Sequence, residues 1–261
     1  MNYGLYLSAS GVLTNLHRQD VYANNLANAQ TVGFKPEFAI ISQRDPESVE
    51  EGLGFDASHD LLDRIGGGVL AGLQSIDFSP ANLEHTGNPL DAALEQRNQF
   101  FAVLADAPGS DQVGIHLTRD GRFSRNTEGF LVTVAGGHLV LGPDDEPIQL
   151  QSGPVAIDPG GQVRQAGEVV GRIQVAEMSD TNAMQKRGQN LFAIDGPANL
   201  RSVLENPSVK SGFVEASGTD PIKALMKMID ATKSVTSNAS LIRYHDRLMD
   251  QAVNTLGRVV A

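Results

Sequence analysis

The sequence predicts an α+β fold that is mostly β: long N- and C-terminal helices, paired as a coiled-coil-like core domain, flank an antiparallel β-rich middle domain. Three observations predict it. Apolar residues in the last forty or so positions alternate at three- and four-residue spacing, and a second stripe of the same spacing fills roughly the first thirty. Between them, short apolar runs are punctuated by turn residues about every eight to twelve positions.

The C-terminal stripe runs Leu225, Met228, Thr232, Val235, Ala239, Ile242, Asp246, Met249, Val253, Leu256 and Val260, with only Thr232 and Asp246 interrupting the apolar series. Asp220 is placed to cap this helix and Pro221 to occupy its first position, where a missing N–H costs nothing. Nothing breaks the pattern before Gly257, so the helix extends roughly 60 Å at 1.5 Å per residue. Isolated helices are marginal in water, so a seam of this length implies helical partners.

The N-terminal stripe, Leu5, Ala9, Val12, Leu16, Gln19, Ala23, Leu26 and Gln30, offers such a partner. Gly4 and Gly11 each cost a helix about 1 kcal/mol unless a neighbouring backbone packs close, an approach that Ala9 and Ala23 would also favour. Asn24, Asn25 and Asn28 suit a helix end, where their amides take up free backbone groups, and Gly33 and Pro36 close the segment.

Ser10-Gly11, the run Ala23-Asn24-Asn25-Leu26-Ala27-Asn28 and the run Thr31-Val32-Gly33-Phe34-Lys35 together resemble the N-terminal signature of the bacterial flagellar rod and hook protein family. The resemblance implies a structural axial subunit of the flagellar basal-body rod, whose terminal helices assemble into a helical tube that transmits motor torque. It implies as partners further copies of itself, other rod and hook subunits and the flagellar export apparatus. It also implies export through the flagellum's own channel without a cleaved signal peptide, to a rod that spans the periplasm. On that reading the assembly interface is the two seams, Leu5, Ala9, Val12, Leu16, Ala23 and Leu26 with Leu225, Met228, Val235, Ala239, Ile242, Met249, Val253 and Leu256. The C-terminal seam departs from the family in lacking an aromatic near its middle, where Asp230 to Ser237 stand.

Four segments follow: residues 1–36 and 213–261 as the helical core, 37–78 as a variable acidic and glycine-rich connector, and 79–212 as the β-rich middle. The middle carries strand-like runs at Phe100–Leu104, Gly114–Thr118, Phe130–Val134, His138–Leu141, Val155–Ile157, Gln162–Arg164, Val169–Met178 and Leu191–Ile194, with Gly136-Gly137 a hairpin turn. Thr86-Gly87-Asn88-Pro89-Leu90-Asp91 and Thr118-Arg119-Asp120-Gly121-Arg122-Phe123 are similar to further segments of the same family. Arg119 and Asp120 read as exposed turn charge, and Phe123, Leu131 and Val134 as core.

The formal charge of -11 belongs to the middle: residues 1–30 are net zero, 218–261 net +2 and 31–217 net -13. That balance repels nucleic acid and anionic lipid. The chain has no cysteine, no run long enough to insert in a membrane and no basic-then-apolar start of a secretory signal. Gly66-Gly67-Gly68-Val69-Leu70-Ala71 matches a dinucleotide pattern, yet charged residues precede it and Pro80 soon follows it. The six histidines are never three or four apart, Asp144-Asp145 are adjacent turn residues, and no nucleophile motif occurs, so no catalytic, cofactor or metal residue is assigned. Two readings stand: the axial structural protein, and a carbohydrate-binding or enzymatic β domain with coiled-coil oligomerisation ends.

Overall fold

A computed structural model describes residues 3–45, 66–106, 113–194 and 201–256. They form two units, each discontinuous in sequence. The first takes residues 1–27, 37–75 and 220–261, and the second takes 28–36 and 76–219.

The first unit holds helices α1 (Tyr3–Ala27) and α2 (Pro221–Gln251) with the ribbon of β1 (Glu37–Arg44) and β2 (Gly68–Ile76), which pair with each other. Helix α2 starts as its sequence dictates: Pro221 stands at the first turn and the Asp220 carboxylate accepts from the amides of Ile222 (3.0 Å) and Lys223 (3.1 Å). It ends in a π turn over Ala252–Leu256. The helices run antiparallel, because Gly4 lies against His245, Gly11 against Asn238 and the Tyr22 ring under Lys227. Asn25, buried, ties β1 to the end of α1: its amide donates to the Glu37 carbonyl (2.7 Å) and its oxygen accepts from the Glu37 amide (3.0 Å).

The coiled-coil-like core expected from the two seams is not what the structure shows. The described chain has more strand than helix, with one long helix at each end, and several large apolar residues of the seams are left exposed. In α2 the buried side chains are Ala224 and Ala231, one position before the predicted Leu225 and Thr232, while Leu225 and Met249, and Val253 in the π turn beyond it, are exposed. In α1 the buried positions are Ser8, Gly11, Thr14, Val21 and Asn25. Small residues win the shared face because they let the backbones approach: a Cβ on Gly4 or Gly11 would sit 2.8 or 2.9 Å from a side-chain nitrogen of the facing helix. The predicted role of Ala23 in that approach fails, as it is exposed.

In the second unit sixteen short strands follow: β3 (Leu83–His85), β4 (Ala92–Leu94), β5 (Gln99–Asp106), β6 (Val113–Thr118), β7 (Phe123–Arg125), β8 (Leu131–Thr133), β9 (Leu139–Val140), β10 (Val155–Ile157), β11 (Gln162–Gln165), β12 (Glu168–Arg172), β13 (Val175–Met178), β14 (Met184–Gly188), β15 (Leu191–Ile194), β16 (Arg201–Val203), β17 (Val209–Ser211) and β18 (Phe213–Glu215). Its main sheet orders β14-β15-β6-β5-β9-β8-β7, with β13 pairing both β5 and β16. β10-β11-β12 form a second sheet, and β17-β4 and β18-β3 form two ribbons. Period-two alternation along β5 feeds two apolar clusters. Phe101, Val103 and Ala105 point into one with Phe123, Leu131, Val140 and Ile173; Phe100 and Ala102 point into the other, where Phe78, Phe100 and Phe192 meet edge to face at 5.3–5.9 Å. The run expected as one strand over Val169–Met178 breaks into β12 and β13, and Val134, expected in the core, is exposed.

Candidate assembly surface

Large apolar side chains left in solvent are unevenly distributed. On α1 they are Tyr6, Leu13 and Leu16; on the β1–β2 ribbon Phe38, Ile40, Leu70 and Leu73, the last 89% exposed; on α2 Ile222, Leu225, Met226, Ile229, Leu241, Tyr244, Leu248 and Met249, with Val253 in the turn that follows. The described part of the second unit, which is larger, leaves out only Ile115, Val134, Val169, Val170 and Val203. Exposed apolar surface in contiguous array marks a face that other protein covers.

The residues predicted for assembly divide by depth. Leu16, Ala23, Leu225, Met249 and Val253 are exposed; Leu5, Ala9, Val12, Leu26, Met228, Val235, Ala239 and Ile242 are half-buried; the Leu256 side chain lies outside the described residues. Lys227 is held over the rings of Tyr22 and Phe38 (5.8 and 5.3 Å to the centroids), which packs its stem along the apolar surface.

The signature residues part company after Ala27. Asn24 and Ala27 are exposed and Asn25 is buried at the ribbon, whereas Asn28 and Thr31 form a turn in which the Asn28 side-chain oxygen accepts from the Thr31 hydroxyl (3.1 Å). Gly33, Phe34 and Lys35 are then buried within the second unit. Gly33 needs its left-handed backbone (φ 69°), since a Cβ there would meet the Arg119 backbone at 2.5 Å, and its amide donates to the Glu215 carbonyl (2.7 Å). Lys186 sits 4.0 Å above the Phe34 ring.

Lys35 ends in a fully buried ionic cluster. Its Nζ donates to Glu215 Oε1 (2.6 Å) and to the Ser79 carbonyl (2.9 Å). The same carboxylate oxygen accepts from the Ala81 amide (2.8 Å), and Arg119 Nη1 stands 3.3 Å from the other. Arg119, expected as exposed turn charge, is 1% exposed: its guanidinium donates to the carbonyls of Leu94 (3.1 Å), Gln96 and Arg97 (2.8 Å), and lies over the Phe100 ring. Asp120 is also buried, paired with Arg122 (2.7 Å). Burial lowers the Lys35 pKa, against the pull of Glu215, and the nearby Arg119 lowers it further; burial likewise lowers that of Arg119. Sequence reasoning missed Glu215 altogether. Strand propensity and turn chemistry gave no signal for a pairing across 180 positions.

Comparison with known proteins assigns the chain. Residues 5–35 match the family described as flagella basal body rod protein, and residues 210–255 match the C-terminal family of flagellar basal body rod FlgEFG proteins. The flagellar basal-body rod protein FlgF of Caulobacter vibrioides is 30% identical over 99% of this chain and 100% of its own length. The chain belongs to the flagellar basal-body rod protein family. FlgF of Mesorhizobium japonicum is also 30% identical, over 98% of this chain and 99% of its own length, and the rod protein FlgG of Caulobacter vibrioides is 28% identical over 97% and 98%. The resemblance read from the signature residues therefore holds. This rod protein is a structural subunit of the flagellar basal body and assembles with other rod subunits. The first matched segment runs through α1 to the buried Lys35, and the second spans Glu215 and α2, so the matches include both partners of the buried pair.

Proposed function

We propose that the outward apolar faces of α1 and α2 are where this rod protein meets its neighbours, and that their repetition builds a helical tube that carries motor torque. The observation behind this reading is the concentration of exposed large apolar side chains on the first unit. A heterologous interface that repeats without closing generates a helical polymer, and two long helices give it lateral and axial extent. The contacts we assign are Leu5, Ala9, Val12, Leu16, Ala23 and Leu26 on α1, with Leu225, Met228, Val235, Ala239, Ile242, Met249, Val253 and Leu256 toward the other end of the chain. On the same reading the acidic β-rich middle is a scaffold with no catalytic, cofactor or nucleic-acid role. The chain leaves the cell body through the flagellar export apparatus, without a cleaved signal and without entering the lipid.

Exposed positions make the test clean, because a charge there does not disturb a buried core. Leu16→Asp and Leu225→Asp proteins should be produced at normal level and keep their thermal midpoint, a surface change being worth no more than about 0.5 kcal/mol. They should fail to appear in isolated basal bodies and leave cells unable to swim. Normal rods that contain both variants would remove the helix faces from assembly.

A further inference from the structure

We propose that His116, set beside His138, is a proton-sensitive group that loosens the main sheet of the second unit in mild acid. His116 lies on β6 opposite Val103 of β5, and Val140 of β9 stands opposite the same residue from the other side. Directly paired residues of neighbouring strands share a face, so His116, Val103 and Val140 point the same way, and His138, two positions before Val140, joins them. Gly114 leaves room beside the ring, its absent Cβ being 3.7 Å from His116 Nε2, and Gly136 does the same for His138.

This is a costly place for a proton. His116 is 6% exposed and neither of its ring nitrogens has a hydrogen-bond partner; His138 Nε2 is buried and equally unpartnered. The groups facing His116 offer no compensation. His138 and Arg187 of β14 both disfavour a positive charge there, and Lys186 of β14 is over the Phe34 ring. Strands β9 and β15 carry no charged residue, and the one acid of β5 is Asp106 at its far end, opposite Val113. Burial first, then these two neighbours, hold His116 below the ordinary imidazole range.

The direction of the effect follows from which state binds the proton. The unfolded chain protonates His116 near its ordinary pKa of about 6.5, whereas the folded chain resists. Stability is therefore full above that value and falls as pH drops below it, until the folded form also protonates. Strands β5, β6 and β9 would loosen first.

The test uses the full chain. The thermal midpoint of its β-sheet circular-dichroism signal is measured between about pH 7.5 and 5, across the imidazole range. The wild type should lose about 2–5 °C over that interval, the His116→Leu chain should lose clearly less, and His138→Gln should fall between them. Because His116→Leu alters a buried site, the His116 ring proton is also titrated by NMR in the wild type, where a midpoint below that of a free imidazole is expected. A normal midpoint, or pH dependence unchanged in both variants, would overturn the proposal.

Discussion

Glu215 is the residue on which the second unit turns. Its carboxylate is the ion-pair partner shared by two buried cations, Lys35 and Arg119, and its backbone carbonyl accepts from Gly33. Removing one partner of a buried pair is expensive because the survivor stays desolvated. Glu215→Gln takes the shared ion-pair partner from both cations and should lower the unfolding free energy by about 3–5 kcal/mol. Lys35→Met keeps Arg119 opposite the carboxylate and fills the same space with an apolar stem, so its loss should be distinctly smaller. Urea unfolding followed by the β-sheet circular-dichroism signal ranks the two; an equal or reversed order would mean that Arg119, with its three backbone carbonyls, carries the site without Lys35.

Among the elements, the helices show how a correct period can give the wrong face. The three-four spacing placed α1 and α2 over nearly the right residues, and Asp220-Pro221 fixed where α2 begins. The facing surfaces, however, are chosen by closeness of approach, and Gly4, Ser8, Gly11, Ala224 and Ala231 permit more of it than leucine does. Gly11 allows a graded test. Gly11→Ala gains about 1 kcal/mol of helix propensity and has only to displace the Asn238 amide, so it should be nearly neutral. Gly11→Leu must push the helices apart and should cost about 1–3 kcal/mol, read from the melt of the helical signal. Hairpin chemistry was more legible, since Gly136 and Gly137 both take positive φ as the turn between β8 and β9 requires. The candidate assembly surface was half legible. A stripe of leucines announces an apolar face, but only the fold shows that Leu16, Leu225 and Met249 look outward rather than at the partner helix. The ionic cluster was not legible, because Phe34-Lys35-Pro36 has the composition of a turn and its burial depends on strands far along the chain.

For the whole molecule, charge and greasiness are sorted in sequence. Residues 31–217, between the terminal helices, carry net -13 against -11 for the whole chain, and most of the exposed apolar side chains sit on the unit those helices build. The acid keeps the β-rich part from self-associating, while the helix faces remain open to a neighbour. The second unit is itself stitched from both ends, with residues 28–36 at one margin and 212–219 at the other. Ser217 donates to the Asn28 carbonyl (2.8 Å) and the Gly218 amide to that of Phe34 (2.9 Å), so the two margins lie side by side. A ribosome-stalled chain that stops before residue 209 therefore lacks β17, β18 and Glu215, and limited proteolysis should cut it within residues 76–194 at sites the finished chain protects. Protection of the stalled chain equal to that of the whole would show that the margin is dispensable. Time is the quantity this arrangement governs. With 180 residues between Lys35 and its carboxylate, and elongation at roughly 5–20 residues per second, about 9–36 s pass in which Lys35 waits for a partner that has not yet been made. Until that one glutamate is made, the two buried cations cannot be brought to their shared carboxylate.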